Sequence, residues 1–189
     1  MNNVDTQKHQ SASEVLEKFE EAGYDVEAPV DVDEVARYLG LKVIWDSSLE
    51  NKNIVGEINF SEEGVGKVNI NPSANSFEPR RRFTLAHEIG HWCLHRNKEK
   101  SGFVDSSESM SRKDSYWDHM EFEANNFAAQ LLMPRDLVLR EGKKIICDFK
   151  SENGQDSKIK KENFIEGMAR KFEVSKPAME YRLKNMGII

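Results

Sequence analysis

Apolar and polar positions change period several times along the chain, and each change marks an element. In SASEVLEKFEEAG, Val15, Leu16 and Phe19 fall on one helical face, with Ser11 or Ser13 available as cap and Gly23 as stop. A short amphipathic helix follows from that spacing. After Pro29, DVDEVARYLG puts Val32, Val35, Ala36 and Leu39 inside a second helix, with Asp31 and Glu34 as an Asp variant of the capping box and Gly40 as its end. The period then shortens. LKVIW, IVGEINF and GKVNI are Val- and Ile-rich runs separated by Asn, Ser and Gly clusters, and they predict three strands. SEEGVG joins the last two as a hairpin, so at least part of the sheet is expected to be antiparallel.

NPSANSFEP reads as a loop leading into a helix that carries FTLAHEIGHWCLH. From Asn97 to Ser115 no period persists and Ser, Lys and Asp dominate, which predicts a mobile loop. In EFEANNFAAQLLMP the residues Ala124, Phe127, Ala128, Leu131 and Leu132 recur at helical spacing, and Pro134 ends that helix and can begin another turn through PRDLVLRE. Residues 142–160 are polar. The chain finishes with ENFIEGMARKF and SKPAMEYRLKNMG, two short helices separated by EVS, with Ser175 capping the second. Their outline is that of a helix-turn-helix, although such a pair more often serves core packing.

Composition narrows the class. A chain of 189 residues, 38% hydrophobic and 32% charged, can bury a real core and has excess polarity for long solvated surfaces. No apolar run approaches the roughly 20 residues needed to cross a bilayer. The start, MNNVDTQKHQSASE, lacks the basic and apolar regions of a secretory signal, so a cytoplasmic protein is expected. Cys93 and Cys147 are too few for a disulfide framework and are expected as free thiols. Charge is uneven: residues 1–156 hold 19 Lys and Arg against 29 Asp and Glu, while 157–189 hold 8 against 4. The body is acidic and the tail basic, which leaves direct DNA contact by the tail as a second, less favoured use.

The chemistry lies in FTLAHEIGHWCLH. Residues four apart share a helix face, so His87 and His91 can aim both imidazoles at one metal ion. Glu88, about 100° around the helix, is poorly aimed as a ligand but well placed to act as general base on a water. A catalytic zinc takes three protein ligands. His95 is excluded as the third, because about 12 Å of helix rise separates it from His87, whereas ligands of one zinc lie about 3–4 Å apart. It is expected in a supporting, structural or substrate-facing role. HExxHxxGxxH also fails, since Leu94 and Asn97 stand where Gly and His would be needed. A carboxylate from a second helix is the other common solution, and Asp118, Glu121 and Glu123 are the candidates. Cys93, near the opposite helix face, is expected as a packed thiol. Arg80, Arg81 and Arg82 read as a solvated helix start, although positive charge there opposes the dipole and hints at a nearby carboxylate.

RRRFTLAHEIGHWCLH, followed about thirty residues later by EFEANNFAAQLLMP, closely resembles the ImmA/IrrE metallo-endopeptidase family. The resemblance covers roughly residues 28 to 140, and ARKFEVSKPAMEYRLKNMGI is similar to the tail of its shorter members. It implies His87 and His91 as zinc ligands, Glu88 as catalytic base and Glu123 as third ligand. Glu123 is preferred because it stands directly before AN in the family-like EAN string, and Glu121 is the reserve. The implied enzyme is a gluzincin-like HExxH metallo-endopeptidase with one Zn2+ per chain, although Mn2+ and Fe2+ suit the same donors. The implied fold is α+β: a compact zincin-like domain whose small, twisted, mostly antiparallel three-stranded sheet packs against helices, with a C-terminal helical pair. The division expected is 1–27 as an N-terminal helical segment, 28–141 as the peptidase domain and 142–189 as a helix-turn-helix-like extension.

Family members commonly act in bacteria or on mobile elements, where they cleave a helix-turn-helix transcriptional repressor and relieve repression. The partner implied here is a separate polypeptide, with no membrane involved. His95, Tyr116 and His119 are candidates, by residue type, to stabilise the oxyanion, and GKVNIN is the candidate edge for pairing with an extended substrate. The alternative function is a DNA-binding or repressor-binding regulator with a structural metal and no proteolysis. The presence of Glu88 argues against it, since a structural zinc has no use for a base.

Overall fold

The computed structural model of the chain describes residues 11–61, 65–96, 102–106 and 115–189, apart from the side chains of Ser106 and residues 115–118. Helix α1 (Ala12–Glu21) starts at Ser11, whose hydroxyl accepts from the Glu14 amide, and it buries Val15, Leu16 and Phe19. In α2 (Val32–Tyr38) the Asp31 carboxylate accepts from the Glu34 amide at 2.9 Å. Both caps satisfy amides that a helix start leaves without partners. Phe19, Tyr24 and Tyr38 then pack ring against ring, with centroids 4.4–5.7 Å apart.

Strands β1 (Lys42–Trp45), β2 (Ile54–Phe60) and β3 (Gly66–Ile70) form where the short-period runs predict them. They are followed by α3 (Glu78–His95), a fourth strand β4 (Gly102–Ser106), and helices α4 (Ser115–Leu132), α5 (Arg135–Asn153), α6 (Lys161–Phe172) and α7 (Lys176–Asn185). The sheet order is β1-β3-β2-β4, with β1 parallel to β3 and the other two pairings antiparallel. The fold is thus α+β, a small mostly antiparallel sheet packed against helices, with four strands among the described residues rather than three.

Three expectations change. Gly102–Ser106, inside the stretch read as a loop, is a strand because β2 supplies its hydrogen-bonding partners, Ile58 opposite Phe103 and Gly56 opposite Asp105. β3 is flanked by β1 and β2, so GKVNI has no edge to offer a substrate; among the described residues the edges are β1 and β4. Helix α5 runs through residues read only as polar. Its buried face lies in its first two turns, at Leu137, Val138, Glu141 and Gly142, and Gly142 and the half-buried Ile145 pack against Phe164 and Gly167 of α6. Glu141 within that face is polar, and most of α5 after Gly142 faces water, which hid the period.

The C-terminal pair forms as read, with the Ser175 hydroxyl accepting from the Ala178 amide. Met168, Phe172, Met179 and Leu183 are fully buried, and Arg182 Nε donates to the Met133 carbonyl at 3.1 Å, tying α7 to the end of α4. A single buried cluster draws on all three expected segments, from Ala12 to Leu183. Among the described residues no helix is long and apolar enough to cross a membrane.

Candidate metal centre

Helix α3 is fixed at its start by polar anchors. Pro79 occupies its first turn, where a missing amide proton costs nothing. Buried Asn75 donates to the carbonyls of Val55 and Asn71 and accepts from the Thr84 hydroxyl at 2.7 Å, so the NPSAN loop joins β2 to α3. Arg81 forks onto Glu78 and onto Asp33 of α2, and buried Arg82 donates to the Val30 carbonyl with Glu173 at 3.8 Å. For those two the carboxylate reading replaces that of a solvated helix start. Leu85 and Ile89 are buried, and Trp92 packs on Phe60 of β2 at 5.8 Å.

On the other side α3 meets α4 through Gly90. A Cβ there would lie 3.1 Å from Ala124 Cα, so glycine sets the close approach that lets α4 side chains reach the histidines. His87 Nε2 lies 2.9 Å from His91 Nε2, 3.1 Å from Glu121 Oε2 and 2.9 Å from Asp105 Oδ2, and His91 Nε2 lies 3.3 Å from Glu121 Oε1. These four residues offer donor atoms all within 4.8 Å of one another.

Glu123 is not among them, contrary to the preferred assignment. Its Oε2 lies 3.0 Å from His95 Nε2 and 3.4 Å from His119 Nδ1. Two residues of helix turn a side chain by about 200°, so Glu121 and Glu123 cannot aim at one point. Glu121 shares its face with Asn125, one turn on, whose amide oxygen lies 3.0 Å from His87 Nδ1. His95 bonds through Nδ1 to His91 Nδ1 at 3.0 Å and stays outside the donor cluster, as helix rise requires. His119 is two-thirds exposed and turned to Glu123, and the side chains of Tyr116 and Asp118 lie outside the described residues.

β4 completes the cluster by alternation. Phe103 and Asp105 face α3 while Val104, between them, is 54% exposed. Phe103 stacks on the His91 ring at 4.1 Å, and Asp105 reaches His87. Burial opposes a charge on His87, but Asp105 and Glu121 outweigh it and hold its pKa well above the usual value. His91 is lowered, chiefly by burial. Burial alone would raise Glu121, yet the two imidazoles bring it down to about 2.

Glu88 is fully buried, and Asp105 is the carboxylate beside it. Burial first, then the charge of Asp105, pushes its pKa well above the usual carboxylate range. Its room comes from Gly56 of β2, where a Cβ would sit 2.7 Å from Glu88 Oε1. Cys93 is buried, with its thiol pushed up to about 12 by that burial, so it is a packed and unreactive residue.

The sequence matches the peptidase M78 family, described as the IrrE N-terminal-like domain, over residues 36–184. The chain belongs to this family. A comparison with curated proteins finds no significant match. The M78 match spans both helices of the cluster and the C-terminal pair, in agreement with the resemblance carried by HEIGH and EANNFAAQLLMP. A metallopeptidase-type function and a protein substrate follow from membership, and the His87, His91, Asp105, Glu121 cluster is able to hold a metal ion. Asp105 and Asn125 were not anticipated. The alternation in GFVDS was the available signal for Asp105, and the i+4 spacing from Glu121 was the signal for Asn125.

Proposed function

We propose that this M78 chain is a zinc-dependent endopeptidase that acts in the cytoplasm on a separate helix-turn-helix repressor and relieves repression by cutting it. His87, His91 and Glu121 would hold the ion, with Asp105 as fourth donor. The donor set fits: His87 Nε2 lies 2.9–3.1 Å from an atom of each of the other three, near the edge of about 3.3 Å of a tetrahedron whose vertices lie about 2 Å from its centre, and all four donors lie within 4.8 Å of one another. Two imidazoles and carboxylates are also zinc's own chemistry, though manganese and iron accept them. When bound, the ion supplies Lewis-acid polarisation of a peptide carbonyl and makes a water more acidic.

The observation that carries catalysis is Glu88. A fully buried carboxyl group costs stability and has no packing role that an apolar residue would not fill better. With its pKa raised, it is suited to take a proton from the attacking water and return it to the leaving amine. Two surfaces beside the cluster suit a polypeptide. The outer edge of β4 can pair with an extended segment. An apolar groove of about 370 Å3, lined by Phe83, Phe122, Ala129, Met133 and Tyr181, adjoins His87 through Phe83 and Asn125 and can take an apolar side chain.

One observation favours the rival reading of a structural metal: Asp105 lies with the other three donors and would fill the fourth position, as in closed sites. The substitution Glu88→Gln separates the two. It is expected to keep stoichiometric zinc while cleavage of a purified helix-turn-helix repressor falls by about 10²–10⁴-fold. Cleavage at the parental rate in that variant would remove Glu88 from the mechanism.

A further inference from the structure

The two histidines of the cluster are held from behind by different partners. His87 Nδ1 faces the Asn125 amide oxygen at 3.0 Å. His91 Nδ1 faces His95 Nδ1 at 3.0 Å, and His95 Nε2 faces Glu123 Oε2, also at 3.0 Å. His91 and His95 are both fully buried, and the flat face against His91 is the Phe103 ring, which offers no acceptor.

An imidazole that gives its Nε2 lone pair to a metal carries its proton on Nδ1, and the group receiving that proton fixes the ring. For His91 the receiver is His95 Nδ1, which must therefore be bare. His95 then carries its proton on Nε2 and donates it to Glu123. An ionised carboxylate only accepts, so it sets the direction of the whole line from its outer end. We infer that Glu123 and His95 form a positioning pair that locks His91 in the tautomer with Nε2 free for the metal. The pair accounts for a glutamate that stands two residues from Glu121 without reaching the cluster, and for a third histidine one turn beyond HEIGH.

The inference rests on the metal reading above, and two readouts keep it separable. The first is zinc affinity by competition with a chelator of known strength at pH 7. Glu123→Ala is expected to bind one zinc per chain about ten- to a hundredfold more weakly, the range for loss of a partner behind a ligand. Glu123→Gln, whose amide oxygen can still accept from His95, is expected to recover most of the loss. Glu121→Ala is expected to lose stoichiometric zinc. The second readout is imidazole nitrogen NMR of metal-free protein, in which His91 should show a single Nδ1–H form that becomes a mixture of tautomers in Glu123→Ala.

Unchanged affinity and an unchanged His91 signal in Glu123→Ala would overturn the inference. So would loss of stoichiometric zinc equal to that of Glu121→Ala, which would make Glu123 a ligand. If the parent chain bound no zinc at all, the metal reading would fail, while the tautomer experiment would still decide whether the pair acts on His91.

Discussion

In α3 two imidazoles converge because residues four apart in any helix share a face, whereas in β4 Asp105 reaches them only because distant β2 lends it a partner. Both elements supply donors to the same cluster, at nearly equal distances from His87 Nε2. The difference lies in what holds them. α3 is tied by its own backbone ladder, the Asn75 anchor and a buried face. β4 has five residues, β2 as its one strand partner among the described residues, and Phe103 as its buried aromatic. A donor on a helix is positioned locally; a donor on an edge strand is positioned by register and by one or two packed side chains.

The comparison breaks most sharply at Phe103. Its replacement by alanine is expected to cost about 3–5 kcal/mol, read from denaturant unfolding, because a buried ring is lost and His91 loses its stacking partner. A cost below about 1 kcal/mol would mean that β4 is held by its ladder alone. Asp105 gives the next largest effect, through pH. In metal-free protein His87 keeps its proton above the usual histidine pKa of 6.5, chiefly because Asp105 is beside it. Metal must displace that proton, so zinc affinity should climb with pH from 6 through 8, by up to about tenfold per unit. In Asp105→Asn the proton leaves at lower pH, so the climb should flatten at a lower pH than in the parent while the overall affinity drops. An identical slope in parent and variant would detach β4 from the electrostatics of α3.

The smallest effect is expected at Val104. Because it points away from α3, Val104→Thr should change stability by no more than about 0.5 kcal/mol and leave zinc affinity as it was. A large loss there would contradict the alternation that aims Phe103 and Asp105 inward.

Much of the fold was legible because it is locally encoded. The caps at Ser11, Asp31 and Ser175, the helix stop at Gly40, the strands at LKVIW, IVGEINF and GKVNI, and the apolar stripe of α4 all write their structure into neighbouring residues. GFVDS is too short, and too deeply set among Ser and Lys, for its alternation to stand out. The parallel pairing of β1 with β3, which puts β3 inside the sheet, leaves no mark in any one strand. In α5 the buried face is short and includes Glu141 and Gly142 beside Leu137 and Val138, too few apolar positions for period reading to resolve.

The site divides in the same way. By itself the sequence determined that His87 and His91 face one point, that Glu88 lies beside them, that His95 stands too far along the axis and that a downstream carboxylate joins them. Each is a statement about one helix and its fixed rise and turn. Tertiary structure decided the remainder: Glu121 rather than Glu123 in the cluster, Asp105 as the further donor, and the line from His91 through His95 to Glu123. Those outcomes depend on where Gly90 lets α4 approach, and on β2 pairing with β4. A glutamate on either side of an apolar stripe reads alike until the partner helix is in place.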